Sequence, residues 1–314
     1  MTKGRKKMKQ TTTLIGRNLK RYFRDRGTVF FSLLTMLIVI ALMLFFLGDM
    51  NIQSIVNTAD EMHISNLDQV ESNAKIYFLL WTVAGILAVN TVTVTLTLIG
   101  FQIKDSSEHR MQSFFVSPVS RLKISLGYIG AAWICSMIIG IITLIISEIY
   151  VVLQGAQAFS ILENLEIIGM VAANSFTYAE LMNLISQFVK NEGAWSGFGT
   201  VIGTLVGFLG AIYIPMGGLP EGVQTFLKCT PVLYGTSMLR SVMTAHASET
   251  LFADFGTELS ETVAEEYARE MGVTVSFGDE ILPVWGEVAI ILICGIILAG
   301  AAVIVARRKR FSDR

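Results

Sequence analysis

The chain has 314 residues, 53% of them from the set AVILMFWYC and only 16% charged, against about 25% charged in ordinary soluble domains. Its mean hydropathy is +0.59 and its formal net charge is −1. These values exclude a disordered chain, a disulfide scaffold and a typical cytosolic enzyme, and they point to an all-α membrane protein.

Residues 1–27 open the chain with basic charge. Leu14/Ile15, Leu19 and Tyr22/Phe23 recur at i, i+4 and i+8, and Arg17, Lys20, Arg21 and Arg24 take the other side. That pattern predicts an amphipathic helix on the inner leaflet, with its cations among anionic headgroups. The apolar run that follows is too long for a signal-peptide core and lacks a small-residue cleavage pattern, so it reads as an uncleaved first span.

A helix crosses the hydrocarbon in about 20 apolar residues. Uncharged runs occur at Gly27–Gly48, Ile76–Ile103, Ile124–Ser147, Gly193–Pro220 and Val288–Ala306. They predict spans at 28–48, 76–103, 124–147, 194–218 and 285–306. A weaker sixth span, 163–189, is interrupted by Glu180. External segments fall at 49–75 and 219–283, and cytosolic ones at 104–123 and 307–314. With six spans both ends share one face, which then collects 20 of the 24 Lys/Arg residues. The other face keeps Lys75, Lys228, Arg240 and Arg269. This asymmetry places both termini in the cytosol of a multi-pass, single-domain protein.

Within the last external segment, residues 219–245 are apolar but broken by Pro231. They read as a re-entrant hairpin whose backbone needs protein or a water-filled cavity around it. Residues 246–283 form a small cap. Leu259, Val263, Tyr267 and Met271 predict a short amphipathic helix, and Val273, Val275 and Phe277 a brief strand. Glu148 and Glu287 fall at outer span ends and read as interfacial.

Polar groups inside the spans are candidates for a transport path. Asn90, Thr93 and Thr97 share one face of span two. Their hydroxyls can equally bond back to the carbonyl four residues earlier. Glu180 shares a face with Asn183 and Gln187. A carboxylate there faces water or protein, so it is either part of the path or paired with a neighbouring helix. Gly199, Gly203 and Gly207 form a flat stripe suited to close packing within or between subunits.

Other chemistry is missing from the sequence. It contains no G-x-x-x-x-G-K-[ST], H-E-x-x-H or G-x-S-x-G, so neither an ATP-binding loop nor a hydrolase motif is present. Cys135, Cys229 and Cys294 form no CxxC pair, and His63, His109 and His246 do not cluster. No metal site is expected.

Leu219-Pro220, Pro231, Tyr234 and Leu239-Arg240, with SPVSRLKISLGY at residues 117–128, resemble the signature of type-2 ABC exporter permeases. Thr230 stands where that family usually has Asn. The likeness covers nearly the whole chain, and the family's six-span plan and N-terminal amphipathic helix match too. The resemblance implies a half-transporter of a bacterial cell membrane, paired with a second permease subunit and docked on a cytosolic ATPase. ATP and magnesium would then belong to the ATPase, with no cofactor in this chain and no nucleic-acid partner. It also implies a coupling helix from Asp105 to Phe115, with Asp105, Glu108, Arg110, Met111, Phe114 and Phe115 toward the ATPase. The interfacial helix, with Leu14, Arg17, Leu19, Arg21 and Phe23, would be the second element moved. The implied cargo is amphipathic: a drug, a peptide antibiotic or a lipid, with a lipid-linked glycan as the alternative. The contrasting classes are an ATP-independent carrier and a membrane-embedded enzyme.

Overall fold

The computed structural model describes residues 2–30, 32, 34, 48–64, 66–110, 119–255, 257–278 and 280–312. The first expected span therefore lies almost wholly outside the described residues. What is described is helical apart from one two-stranded ribbon. Helix α1 spans Thr2–Arg24, α2 Gly48–Glu61, α3 Leu67–Ser107, α4 Arg121–Leu153 and α5 Ile161–Ser186. Helix α6 covers Glu192–Leu209, α7 Glu221–Lys228, α8 Pro231–Phe252 and α9 Thr257–Glu270. Strands β1 (Ser276–Phe277) and β2 (Glu280–Ile281) pair antiparallel, and α10 runs from Val284 to Ser312.

Helix α3 is the axis of the bundle. It packs against α1, α2, α4, α5, α6 and α8. At 1.5 Å per residue its 41 residues reach about 60 Å, twice the roughly 30 Å of bilayer hydrocarbon. Along its apolar middle Tyr77, Trp81, Ile86, Leu87, Leu98 and Ile99 are buried. Its ends carry the charges: Asp68 in the first turn and Lys104 in the last suit the helix dipole.

Three helices among the described residues are long and apolar enough to cross a membrane: Leu67–Ser107, Leu122–Leu153 and Val284–Arg308. They match expected spans two, three and six. Spans four and five coincide with α5 and α6. Helix α5 carries Glu163, Glu166 and Glu180, and α6 has only 18 residues. Both are weaker membrane signals for those reasons. Helix α5 starts at a reciprocal cap, in which the Ser160 hydroxyl accepts from the Glu163 amide at 3.2 Å and the Glu163 carboxylate accepts from the Ser160 amide at 2.7 Å.

Three expectations are corrected. Residues 49–75 are not a loop: α2 fills much of this segment and packs on α3, burying Ile52, Ile55 and Ala59. The alternation Val273, Val275, Phe277 gives a strand only at its last member, and the first two are buried outside it. Glu287 is not interfacial. It is 1% exposed and accepts a 2.8 Å hydrogen bond from the Ser237 hydroxyl.

The two ends of the bundle differ in charge. Arg17, Arg21, Lys104 and Lys123 gather at one end, and Asp68, Glu163 and Glu249 lie at the other. At the basic end α1 lies against α4, and two glycines set how close it comes. A Cβ on Gly127 would sit 2.6 Å from the Leu14 Cβ, and one on Gly130 2.8 Å from the Ile15 Cδ1. The first contact is fixed by the α1 backbone, whereas the second is the far end of a flexible side chain. Gly127→Ala should therefore lower stability by about 1–3 kcal/mol, and Gly130→Ala by clearly less. Thermal unfolding of the two variants in detergent tests the order; equal losses would contradict this packing.

Candidate functional site

At the basic end a single carboxylate gathers three groups. Asp105 is 2% exposed in the last turn of α3. Arg17 Nη2 donates to its Oδ2, and Arg21 Nη1 donates to its Oδ1 at 2.7 Å. The Tyr128 hydroxyl donates to Oδ2 at 2.6 Å, while Arg17 Nη2 also reaches that hydroxyl at 3.0 Å. The Arg21 guanidinium lies 4.3 Å from the centre of the Phe101 ring. A carboxylate taken out of water must be paired and hydrogen-bonded, and here both cations come from α1. Asn18 adds a bond to the Gly127 carbonyl at 3.4 Å, and Lys123 donates to Gln10 at 2.7 Å. So α1 is clipped to α3 and α4 by polar contacts as well as by the fit at Gly127.

This corrects the expectation for α1. Arg17 and Arg21 turn inward to Asp105 instead of outward among headgroups. Leu14 and Leu19 pack on the core, Tyr22 is fully buried and Phe23 remains 39% exposed. Beyond α1, the Asp25 carboxylate accepts from the Thr28 amide at 3.2 Å and the Thr28 hydroxyl at 2.8 Å. Those bonds, the hydroxyl's first, hold its pKa below the usual carboxylate range.

The implied coupling residues divide. Asp105 is held by the chain's own arginines, whereas Glu108 and Arg110 are exposed and pair with each other at 2.7 Å. Met111, Phe114 and Phe115 lie outside the described residues. Lys104 reaches Glu192 at 3.1 Å, tying the end of α3 to the start of α6.

The signature residues meet at the opposite end, around Arg240. Pro220 precedes α7 and Pro231 takes the first position of α8, where a missing amide costs nothing. Leu219 is half-buried, Leu239 fully buried, and the Tyr234 hydroxyl donates to the Lys228 carbonyl at 2.5 Å across the break between the helices. Arg240 is fully buried and makes no ion pair with a carboxylate among the described residues. Its Nη2 donates to the Ala211 carbonyl at 2.9 Å. Its Nη1 is shared among the carbonyls of Gly210 at 3.4 Å, Met271 at 3.3 Å and Gly272 at 3.3 Å.

Those carbonyls fall in two pairs, each just past a helix C-terminus: α6 ends at Leu209 and α9 at Glu270. Both helices end on a left-handed residue, Ala211 at φ 49° and Gly272 at φ 64°. The last carbonyls of a helix lack partners and carry the negative end of its dipole. One guanidinium therefore caps two helices, and two dipole ends stand in for a carboxylate. The Trp81 ring completes the cage. Its centre is 3.9 Å from the guanidinium carbon, and its Nε1 donates to the Met271 carbonyl at 2.8 Å. Beside this cage, burial pushes the Tyr267 phenol pKa up.

The candidate path residues are less assembled. Asn90 donates to the Thr143 hydroxyl at 3.1 Å, which links α3 to α4. Thr93 and Thr97 bond back to Val89 at 3.2 Å and Thr93 at 2.8 Å. Their half-buried face continues at Gly100. Glu180 is 7% exposed and accepts from Asn183 Nδ2 at 3.4 Å, and Ser125 donates to Asn183 Oδ1 at 3.3 Å. Gly199 faces Leu96 of α3 and Gly207 faces the Tyr213 ring, while Gly203 has open space before it. Two of the three glycines thus serve packing within the chain.

Tyr128 and Trp81 were not singled out from sequence. For Trp81 the signal was there, since an indole N–H in an uncharged run needs a partner. Among the described residues no group of His, Cys, Asp and Glu could hold a metal ion.

The chain matches the family described as ABC-2 family transporter protein over residues 50–305. It belongs to that family and is a type-2 ABC permease, a membrane component of a transporter. No curated protein matches it. The matched region takes in α2 through most of α10, including Asp105, Tyr128 and the Arg240 cage, but not α1.

Arg240→Lys keeps the charge but cannot fork between the two helix ends. It should cost about 2 kcal/mol of stability. Amide exchange should rise at residues 207–213 and 268–275 together. A rise confined to one of the two stretches would show that the arginine does not bridge them.

Proposed function

We propose that this chain is the permease subunit of an exporter, working as a pair with a second permease subunit and driven by ATP hydrolysis in a separate cytosolic ATPase. It spans the cell membrane six times with both termini in the cytosol, a reading supported by the gathering of Lys and Arg at one end. Its cargo is an amphipathic drug, peptide antibiotic or lipid. ATP and magnesium act in the ATPase, whose docking segment is residues 105–115.

The observation that carries this reading is the clip at Asp105. The docking segment begins where α3 ends, and there α3 is bonded to α1 and α4 through one carboxylate. A push on residues 108–115 would be delivered to three helices at once. Closing of the ATPases could then bias the membrane helices between two arrangements through differential contact. The sequence itself has no nucleotide-binding loop, which fits this division of labour.

The test is copurification. Phe114→Asp with Phe115→Asp should abolish capture of a partner ATPase subunit that the wild type captures, because charge replaces the apolar contact. Membrane insertion and helix content should stay as in the wild type. Undiminished capture would remove the docking assignment.

A further inference from the structure

A second pocket is built beside the Arg240 cage from α7, α9 and the turn after α9. Its volume is about 160 Å³, and Gln224, Lys228, Arg269, Glu270, Gly272 and Thr274 are among its lining residues. Its polar groups are unevenly satisfied. Lys228 Nζ donates to the Ser276 carbonyl at 2.6 Å, and Gln224 Nε2 to the Leu219 carbonyl at 2.8 Å. Arg269 Nε and Thr274 Oγ1 are buried and have no hydrogen-bond partner. A buried guanidinium N–H and a buried hydroxyl left unpaired are both costly. Both residues line the pocket, so an acceptor bound there would relieve both groups once the side chains turn toward it.

Charge indicates what that acceptor is. Two cations, Lys228 and Arg269, line the pocket against one carboxylate, Glu270. Arg240 stands behind Gly272, with Nη1 3.3 Å from where a Cβ would be. The end of the bundle away from α1 is poor in Lys and Arg, having Lys75, Lys228, Arg240 and Arg269 in the six-span reading. Three of those four converge here. The neighbouring surface of α7 carries large apolar side chains beside Glu221 and Thr225: Val223 is 41% and Phe226 60% exposed on the helix that supplies Gln224 and Lys228. A short helix with apolar residues outward and cations beside them suits the headgroup layer of a membrane.

We infer that this pocket binds one phosphate group, held by Arg269, Thr274 and Lys228 at the end of the bundle opposite α1. The phosphate is that of a phospholipid headgroup or a free anion of the same chemistry. The site is separate from the polar face of α3 and from the docking segment.

The experiment uses the full-length chain in detergent. Native mass spectrometry would follow binding of phosphatidylglycerol and of diacylglycerol, which lacks the phosphate. Thermal unfolding would follow added inorganic phosphate. Phosphatidylglycerol should bind, diacylglycerol should not, and Arg269→Gln should weaken binding about tenfold. Arg269→Lys should keep most of the affinity, and Lys228→Gln gives a second reading if Arg269→Gln folds poorly. Stabilisation by inorganic phosphate that is lost in the same variants assigns the site to a free anion; lipid binding without it assigns the headgroup. Failure of both probes in the wild type, or equal binding by wild type, Arg269→Gln and Lys228→Gln, would overturn the proposal. No ATPase is needed, so this outcome is independent of the docking test.

Discussion

The carboxylate of Asp105 decides how one end of this molecule is put together. It sits in the last turns of α3, shut off from water, and cannot remain charged there without partners. Arg17, Arg21 and Tyr128 supply them from α1 and α4. The geometry of α1 follows: its arginines turn inward, Tyr22 is buried, and its backbone closes on Gly127. Removing the carboxylate would leave two guanidinium groups without a counter-charge in a closely packed corner. A buried pair of this kind contributes little net stability over an apolar substitute, but it is costly to break from one side. Such a cluster favours the docking of α1 that satisfies every group.

The opposite end solves the reverse problem. Arg240 is a buried cation, and no described carboxylate pairs with it. The partial negative charges of two helix C-termini take that place, with the face of Trp81 alongside. Both helices stop in a left-handed residue so that their last carbonyls converge. For Gly272 this conformation is free of strain. For Ala211 it is disfavoured, and the surrounding bonds hold it. Helix α6, the cap helix α9, α8 and the central helix α3 are thereby tied at one point. In an exporter, the place where the cap meets the span ends is where an outward opening would have to form. A single guanidinium joins those pieces.

Much of this was legible in the sequence. Uncharged runs located α3, α4 and α10, because twenty apolar residues have few other uses. The breaks at Pro220 and Pro231 located α7 and α8, because proline has no amide to give to a helix interior. The family likeness rested on these same residues. Long-range pairings were hidden. Arg17 and Arg21 lie 88 and 84 residues from Asp105, and amphipathic spacing alone assigned them to the lipid. Arg240 was visible as a signature residue, but its role depends on where α6 and α9 end in space. Thr93 and Thr97 were open to two readings from their spacing, a polar path or a bond back to their own helix, and their hydroxyls make the second.

The proposed coupling requires α1 and the basic end of α3 to move as one piece when a partner ATPase works the permease. Spin labels at Lys20 and Ser106, both exposed, would report it in the complex reconstituted with its ATPase. The distance distribution between them should stay the same with and without trapped nucleotide. A nucleotide-dependent change between Lys20 and Ser106 within one subunit would contradict the account.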